Sequence, residues 1–270
     1  MSLANILVHV DSSPRAAERV ALAVRLAERE RGRLTGVFAE TADPFQVGVV
    51  TVWPSERYTA AMERAHAAFQ QATAALGERA SFMDANRGSG AAIFERLTDL
   101  ARSFDLVVVG QTEEGVPVPA KLPERLITQS GRPVLVVPFV GTYPDIGHRP
   151  LFAWRRSAAA ARALADSRLI VVARPCDGLV MEVLKPSEEA DEFASLVIAG
   201  LAAHGVTARF EHVVVDDVDV MDTLLNAAAD HSSDLLVIGG FDAGGLALLG
   251  RGAGSRFILA HMTLPVLFSH

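Results

Sequence analysis

Two short hydrophobic runs organise the chain. Asp105-Leu-Val-Val-Val-Gly110 and Asp234-Leu-Leu-Val-Ile-Gly239 share one pattern, an acidic residue, an apolar stretch and a closing glycine. Each is followed by a loop, a helical stretch and a second apolar run. Those second runs are Arg132-Pro-Val-Leu-Val-Val137 and Leu264-Pro-Val-Leu-Phe268. Fully apolar runs of this length, alternating with helices, are what parallel strands covered on both faces require. In the first half the remaining periodicity predicts strands at Ile6–Val10, Arg33–Ala39 and Ala80–Ala85. Helices are predicted there at Pro14–Arg31, Ser55–Leu76 and Gly90–Ser103. In the second half strands are predicted at Pro150–Trp154, Leu169–Ala173 and Thr207–Val215. The accompanying helices are Ser157–Ala165, Pro186–His204 and Val220–His231.

The fold class that results is α/β, with two tandem doubly wound domains, each a five-stranded parallel sheet flanked by helices. Gly141, Pro144 and Gly147 cluster at the join, so the expected domains are residues 1–140 and 147–270. The first helix of the second domain comes out short, at about two to three turns. Part of that sheet would then need another cover, from the first domain or from the Pro175–Pro186 loop.

Composition narrows the function. Half of the 270 residues are apolar and the net charge is −7. This is globular composition, and it argues against a nucleic-acid backbone or an anionic membrane as partner. No apolar run approaches the ~20 residues that span a bilayer. The chain enters its first strand almost at once, which leaves no room for a signal peptide. A single cysteine, Cys176, excludes an internal disulfide and a multi-thiolate metal site. Cytoplasm is the expected location. The histidines lack an H-x-x-x-H or H-E-x-x-H arrangement, so no metal ligands are nominated. No Ser–His–Asp or Cys–His set has a spacing that suggests nucleophilic catalysis.

With this order of strands, glycines and helices, the chain resembles a tandem universal stress protein over nearly its whole length. The most specific parts are the strand–glycine segments, Pro123-Glu-Arg-Leu-Ile127 before Gly131-Arg-Pro-Val134, and the ending His261-Met-Thr-Leu-Pro265. The resemblance implies domains paired about a pseudo-two-fold axis, with Pro133–Val137 and Pro265–Phe268 edge to edge. It implies a monomer that acts as an intramolecular pseudo-dimer, and further dimerisation stays open. It also implies an adenine nucleotide, ATP or AMP, as candidate ligand, and a protein partner of unknown identity.

Nucleotide-binding members of that family carry an Asp after strand one. They also carry a loop G-x-x-G-(nine residues)-G-S/T after strand four, where glycines let backbone N–H groups reach the phosphates. In the first half the Asp is Asp11, followed by Ser12. The alternative is that Ser12 or Ser13 only caps a helix starting at Pro14. The loop after Gly110 holds Glu113, Glu114 and three prolines, and is not a phosphate cradle. The second half supplies Gly239, Gly240, Gly252, Ala253 and Ser255 as candidates. Asp242 stands where the second motif glycine belongs, and Arg155 stands where the Asp belongs. A carboxylate ~4 Å from a phosphate charge costs about 4 kcal/mol at an effective dielectric of 20, roughly a thousandfold in affinity.

Two functions are weighed on this basis. One is a universal stress protein-like stress-response regulator or adaptor with weak or lost nucleotide binding. The other is an ATP/AMP sensor using the second-domain loop, with slow hydrolysis at most. A nucleotide-α-phosphate hydrolase or ligase lacks the Ser-Gly-Gly-x-Asp-Ser-type loop it needs after strand one.

Overall fold

The protein is described by a computed structural model for residues 3–41, 45–47, 50–52, 54–85, 90–171, 176–216, 219–241 and 252–270. It divides into two compact units, Ser2–Phe139 and Val140–His270.

In the first unit the strands are β1 (Asn5–Val10), β2 (Arg33–Phe38), a small antiparallel hairpin β3 (Phe45–Val47) and β4 (Val50–Val52), then β5 (Ala80–Asp84), β6 (Leu106–Gly110) and β7 (Val134–Val137). Apart from the hairpin they form one parallel sheet in the order β5-β2-β1-β6-β7. The helices are α1 (Ala16–Arg29), α2 (Glu56–Ala72), α3 (Gly90–Ala101) and α4 (Leu122–Gln129). The second unit repeats the plan with β8 (Pro150–Trp154), β9 (Gly178–Leu184), β10 (Ala208–Val214), β11 (Leu235–Gly239) and β12 (Val266–Ser269). Their order is β10-β9-β8-β11-β12, again all parallel. Its helices are α5 (Ala158–Val171), α6 (Ala194–Ala202), α7 (Val220–Asp230) and α8 (Ala253–His261).

The duplicated pattern now has a mechanical meaning. β6 and β11 are fully apolar because both their faces are covered by helices, and Leu106–Val109 and Leu235–Ile238 are all buried. The acidic residue that opens each run ties down the strand beside it. Asp105 accepts the backbone N–H groups of Ala4 and Asn5 at 3.0 and 2.9 Å. Asp234 accepts those of Gly147, His148 and Arg149 at 3.0, 2.8 and 3.1 Å. Each carboxylate thereby fixes the entry into its domain's central strand.

Three expectations need correction. The first helix of the second domain is not short: α5 has 14 residues, the same as α1. Its sequence is alanine-rich without a Gly or Pro, and the helix runs on through Leu169, Ile170 and Val171, all buried. A brief apolar run cannot be told from a buried helix by periodicity alone. The second strand is therefore not Leu169–Ala173 but Gly178–Leu184, placed above in a connecting loop. Glu182 disguised it, since a carboxylate in the middle of a strand reads as surface. In the fold it is buried and accepts the Asp191 N–H at 2.9 Å. Lastly, α6 starts at Ala194, so the acidic stretch from Glu188 to Glu192 belongs to a turn rather than to a helical first turn.

This topology positions the sites. In each sheet the chain crosses to β2 or β9 on one side of the central strand and to β6 or β11 on the other. The crevice left at the carboxyl ends of such a pair is where open α/β sheets take ligands. The two crevices lie beyond β1 and β6, and beyond β8 and β11.

Candidate functional site

The first crevice is occupied by the protein's own side chains. Asp11 follows β1 and is 5% exposed; Arg19, on the sheet-facing side of α1, is 3% exposed. The Arg19 guanidinium donates to Asp11 Oδ2 at 2.7 Å and, through Nε, to the His9 carbonyl at 2.7 Å. The other carboxylate oxygen, Asp11 Oδ1, accepts the Ser13 N–H at 2.9 Å and the Ser13 hydroxyl. The guanidinium lies directly over Gly110, where a Cβ would collide with it. The space remaining is about 30 Å³, lined among others by His9, Arg15, Gln111 and Glu113. That holds a water or two and no ring.

Burial alone would push the Asp11 carboxyl up. The Arg19 guanidinium, the His9 ring and the Ser13 hydrogen bonds together outweigh it and hold the group below the usual carboxylate range. Burial, with Arg19 beside it, pushes the His9 ring down; the facing Asp11 and the Ala39 carbonyl only partly offset this. The neutral ring donates from Nε2 to Ala39 O at 2.8 Å, with Nδ1 3.6 Å from Asp11 Oδ2. Ser12 follows Asp11 at the end of β1. Its N–H and hydroxyl both bond Glu40, whose carboxyl is pushed up mainly by its own burial.

The helix-capping alternative does not hold. α1 begins at Ala16, two residues later than expected, and no side chain caps it; Ala16 N–H bonds the Ser13 carbonyl instead. At the far end, α4 offers little to a phosphate. Leu122 N–H is spent on Pro119 O and Pro123 has no N–H.

The second crevice differs. Arg155 follows β8, exposed, with its guanidinium 2.9 Å from Glu188. A cavity of about 140 Å³ opens behind it, walled by apolar side chains of β9, α7 and β11 and closed by the first turn of α8. Gly239 lies there, but its missing side chain serves packing: a Cβ would stand 2.6 Å from the Ala159 carbonyl carbon and Ala160 N of α5. Gly252 takes a left-handed conformation (φ 78°) under the ring of Phe241, itself at φ 56°. Ser255 is buried, and its hydroxyl accepts the Phe241 N–H at 2.8 Å. Gly252, Ala253 and Ser255 thus meet at the cavity rim with Gly239, while Gly240 donates its N–H to the Ser269 carbonyl. Asp242, Arg251 and Trp53 lie outside the described residues. Trp154 packs with its indole N–H held by Asp191 at 2.7 Å.

Sequence reasoning missed Arg19. The available signal was a cation at one position of a stripe otherwise made of Ala16, Val20, Ala23 and Ala27, all buried. It also missed the Phe241–Ser255 clamp, which no local pattern announces.

Two tandem doubly wound α/β domains, each with a crevice at its switch point, define the class of protein. No protein-family model matches the sequence, and no curated protein matches it. Solved structures do match. A universal stress protein from Archaeoglobus fulgidus DSM 4304 superposes with a TM-score of 0.74 at 14% identity, over 99% of this chain and 97% of that one. A protein of Pseudomonas aeruginosa UCBPP-PA14, provisionally assigned to the same group, gives 0.58 at 14% identity, over 98% and 92%. The chain has the fold of the tandem universal stress proteins. Among the described residues, no helix is long and apolar enough to cross a membrane.

Proposed function

We propose that the protein is a universal stress-type regulator or adaptor in which nucleotide binding has been given up in the first domain and is weak or lost in the second. The observation that carries this reading is the buried Asp11–Arg19 ion pair over Gly110. A base or ribose at Asp11 would have to displace a guanidinium bonded to both the carboxylate and a main-chain carbonyl. Removing one partner of such a buried pair costs about 3–5 kcal/mol, so a ligand that merely competes for Asp11 starts roughly a hundredfold or more behind. In the second domain Arg155 stands at the strand end where the first domain has Asp11. With its crevices closed or altered, the chain would exert its effect through its surface and not through turnover.

The reading is tested by denaturing the purified full chain with heat and identifying released small molecules by absorbance and mass. No stoichiometric adenine nucleotide is expected. Recovery of ATP or AMP at one equivalent or more per chain would make the protein a nucleotide sensor instead.

A further inference from the structure

The second crevice is apolar where the first is charged. Met181 and Val183 of β9, Met221 and Leu224 of α7 and Ile238 of β11 form its walls. The polar groups among them already have partners. Ser157 Oγ accepts the Ala160 N–H at 3.2 Å, Ser255 Oγ accepts the Phe241 N–H, and the Trp154 indole donates to Asp191. Among the described lining residues there is no carboxylate, and the single charge is Arg155. A nucleoside brings an amino group and ribose hydroxyls, all donors, and each one buried without an acceptor costs roughly tenfold or more in affinity. The free space of about 140 Å³ is instead close in size to the ~150 Å³ that accommodates a benzene-sized guest, with one side open to solvent. Two methionines in the wall suit such a guest, because thioethers adapt in shape and contact ring edges favourably. The Arg155–Glu188 pair at the mouth is solvent-exposed and therefore weak, so the guanidinium can turn to an incoming anion. The first turn of α8 adds a bias of the same sign.

We infer that the second-domain crevice binds a small hydrophobic ring bearing a carboxylate, with the ring between Met181, Leu224 and Met221 and the carboxylate at Arg155. The inference rests on the reading above that this crevice is no longer a nucleotide seat. It turns a vestigial site into a receptor for a different class of metabolite, an aromatic acid.

The test uses the full chain with ¹³C-methyl methionine, the resonances of Met181 and Met221 being assigned by their leucine variants. 3-Phenylpropionate, toluene and AMP are titrated separately. Saturable shifts of both methyls with 3-phenylpropionate and with toluene are expected. Arg155→Gln should weaken 3-phenylpropionate about fivefold, the Coulomb attraction of one ion pair in near-aqueous surroundings, and leave toluene unchanged. Val183→Phe should abolish both, with its fold checked by circular dichroism. Should that variant not fold, the Arg155→Gln contrast decides alone, and equal effects on toluene and 3-phenylpropionate would overturn the assigned pose. Absence of any saturable methyl shift sinks the inference and leaves the regulator reading intact. AMP moving the same methyls more tightly than 3-phenylpropionate sinks both.

Discussion

The two crevices occupy equivalent positions in equivalent sheets, yet one is filled by charge and the other walled by hydrocarbon. At the ends of β1 and β6 sit His9, Asp11 and Arg19; Arg19 bonds the Asp11 carboxylate and the His9 carbonyl, and the His9 ring bonds the Ala39 carbonyl. Beyond β8 and β11 the corresponding strand end carries an exposed arginine and opens on methionine and leucine side chains. The scaffold therefore holds its crevice open by topology, and what fills it is decided by a few residues that the sheet does not need. In the first domain the space is filled by a buried ion pair. In the second the space is kept.

The contrast predicts unequal costs. Arg19→Leu should lose about 3–5 kcal/mol of unfolding free energy in urea, since it strands a buried carboxylate. The double variant Arg19→Leu/Asp11→Leu should recover most of that loss. Equal and additive losses from the two single changes would show that the pair is not coupled. Arg155→Leu, at the equivalent strand end, should change stability by less than about 1 kcal/mol because its ion pair is exposed.

Glycine substitutions sharpen the same comparison. Gly239→Ala should cost about 1–3 kcal/mol, because the new methyl meets α5 backbone rather than a movable side chain. Ser255→Ala should cost about 1–3 kcal/mol by leaving the buried Phe241 N–H without its acceptor. Thermal and urea unfolding of both variants would check these values. A wild-type-like Ser255→Ala would mean that the clamp is incidental.

Acid should find the first crevice. His9 has a folded pKa below its ordinary 6.5, so the unfolded chain binds the proton more readily. Its contribution to stability is present above 6.5 and is lost as pH falls through the folded value. Asp11 acts with the same sign, but only below its ordinary 3.8. Glu40, raised by burial, acts with the opposite sign: its contribution is held below its ordinary 4.5 and lost as pH rises through the folded value. His9→Gln keeps a donor for the Ala39 carbonyl while removing the titration. The decline in melting temperature between pH 7 and pH 5 should therefore be shallower in this variant, the smallest of the expected effects. An unchanged slope would place the titrating group elsewhere.

Much of this architecture could be read from sequence where a strand is buried on both faces. The runs ending at Gly110 and Gly239 are unmistakable, and so are their successors at Val134–Val137 and Val266–Ser269. β9 was not legible, since Glu182 interrupts its apolar character and only its bond to the Asp191 N–H explains how a carboxylate survives there. α5 was cut short because β-branched residues at its end mimic a strand. Asp11 was visible as a candidate, but its partner was not. Arg19 lies eight positions away on a helix, and only the packing of α1 over β1 brings the guanidinium to the carboxylate. The same holds for Phe241 and Ser255, whose contact depends on a non-glycine residue at positive φ.

Asp11 is bonded to Arg19, and we propose that this commitment keeps it from serving a nucleotide. Calorimetric titration of ATP, ADP and AMP into the full chain, beside the Asp11→Asn variant, tests it most directly. The account predicts no saturable heat that depends on Asp11 in any of the three titrations. A micromolar isotherm in the wild type that disappears in Asp11→Asn would contradict it.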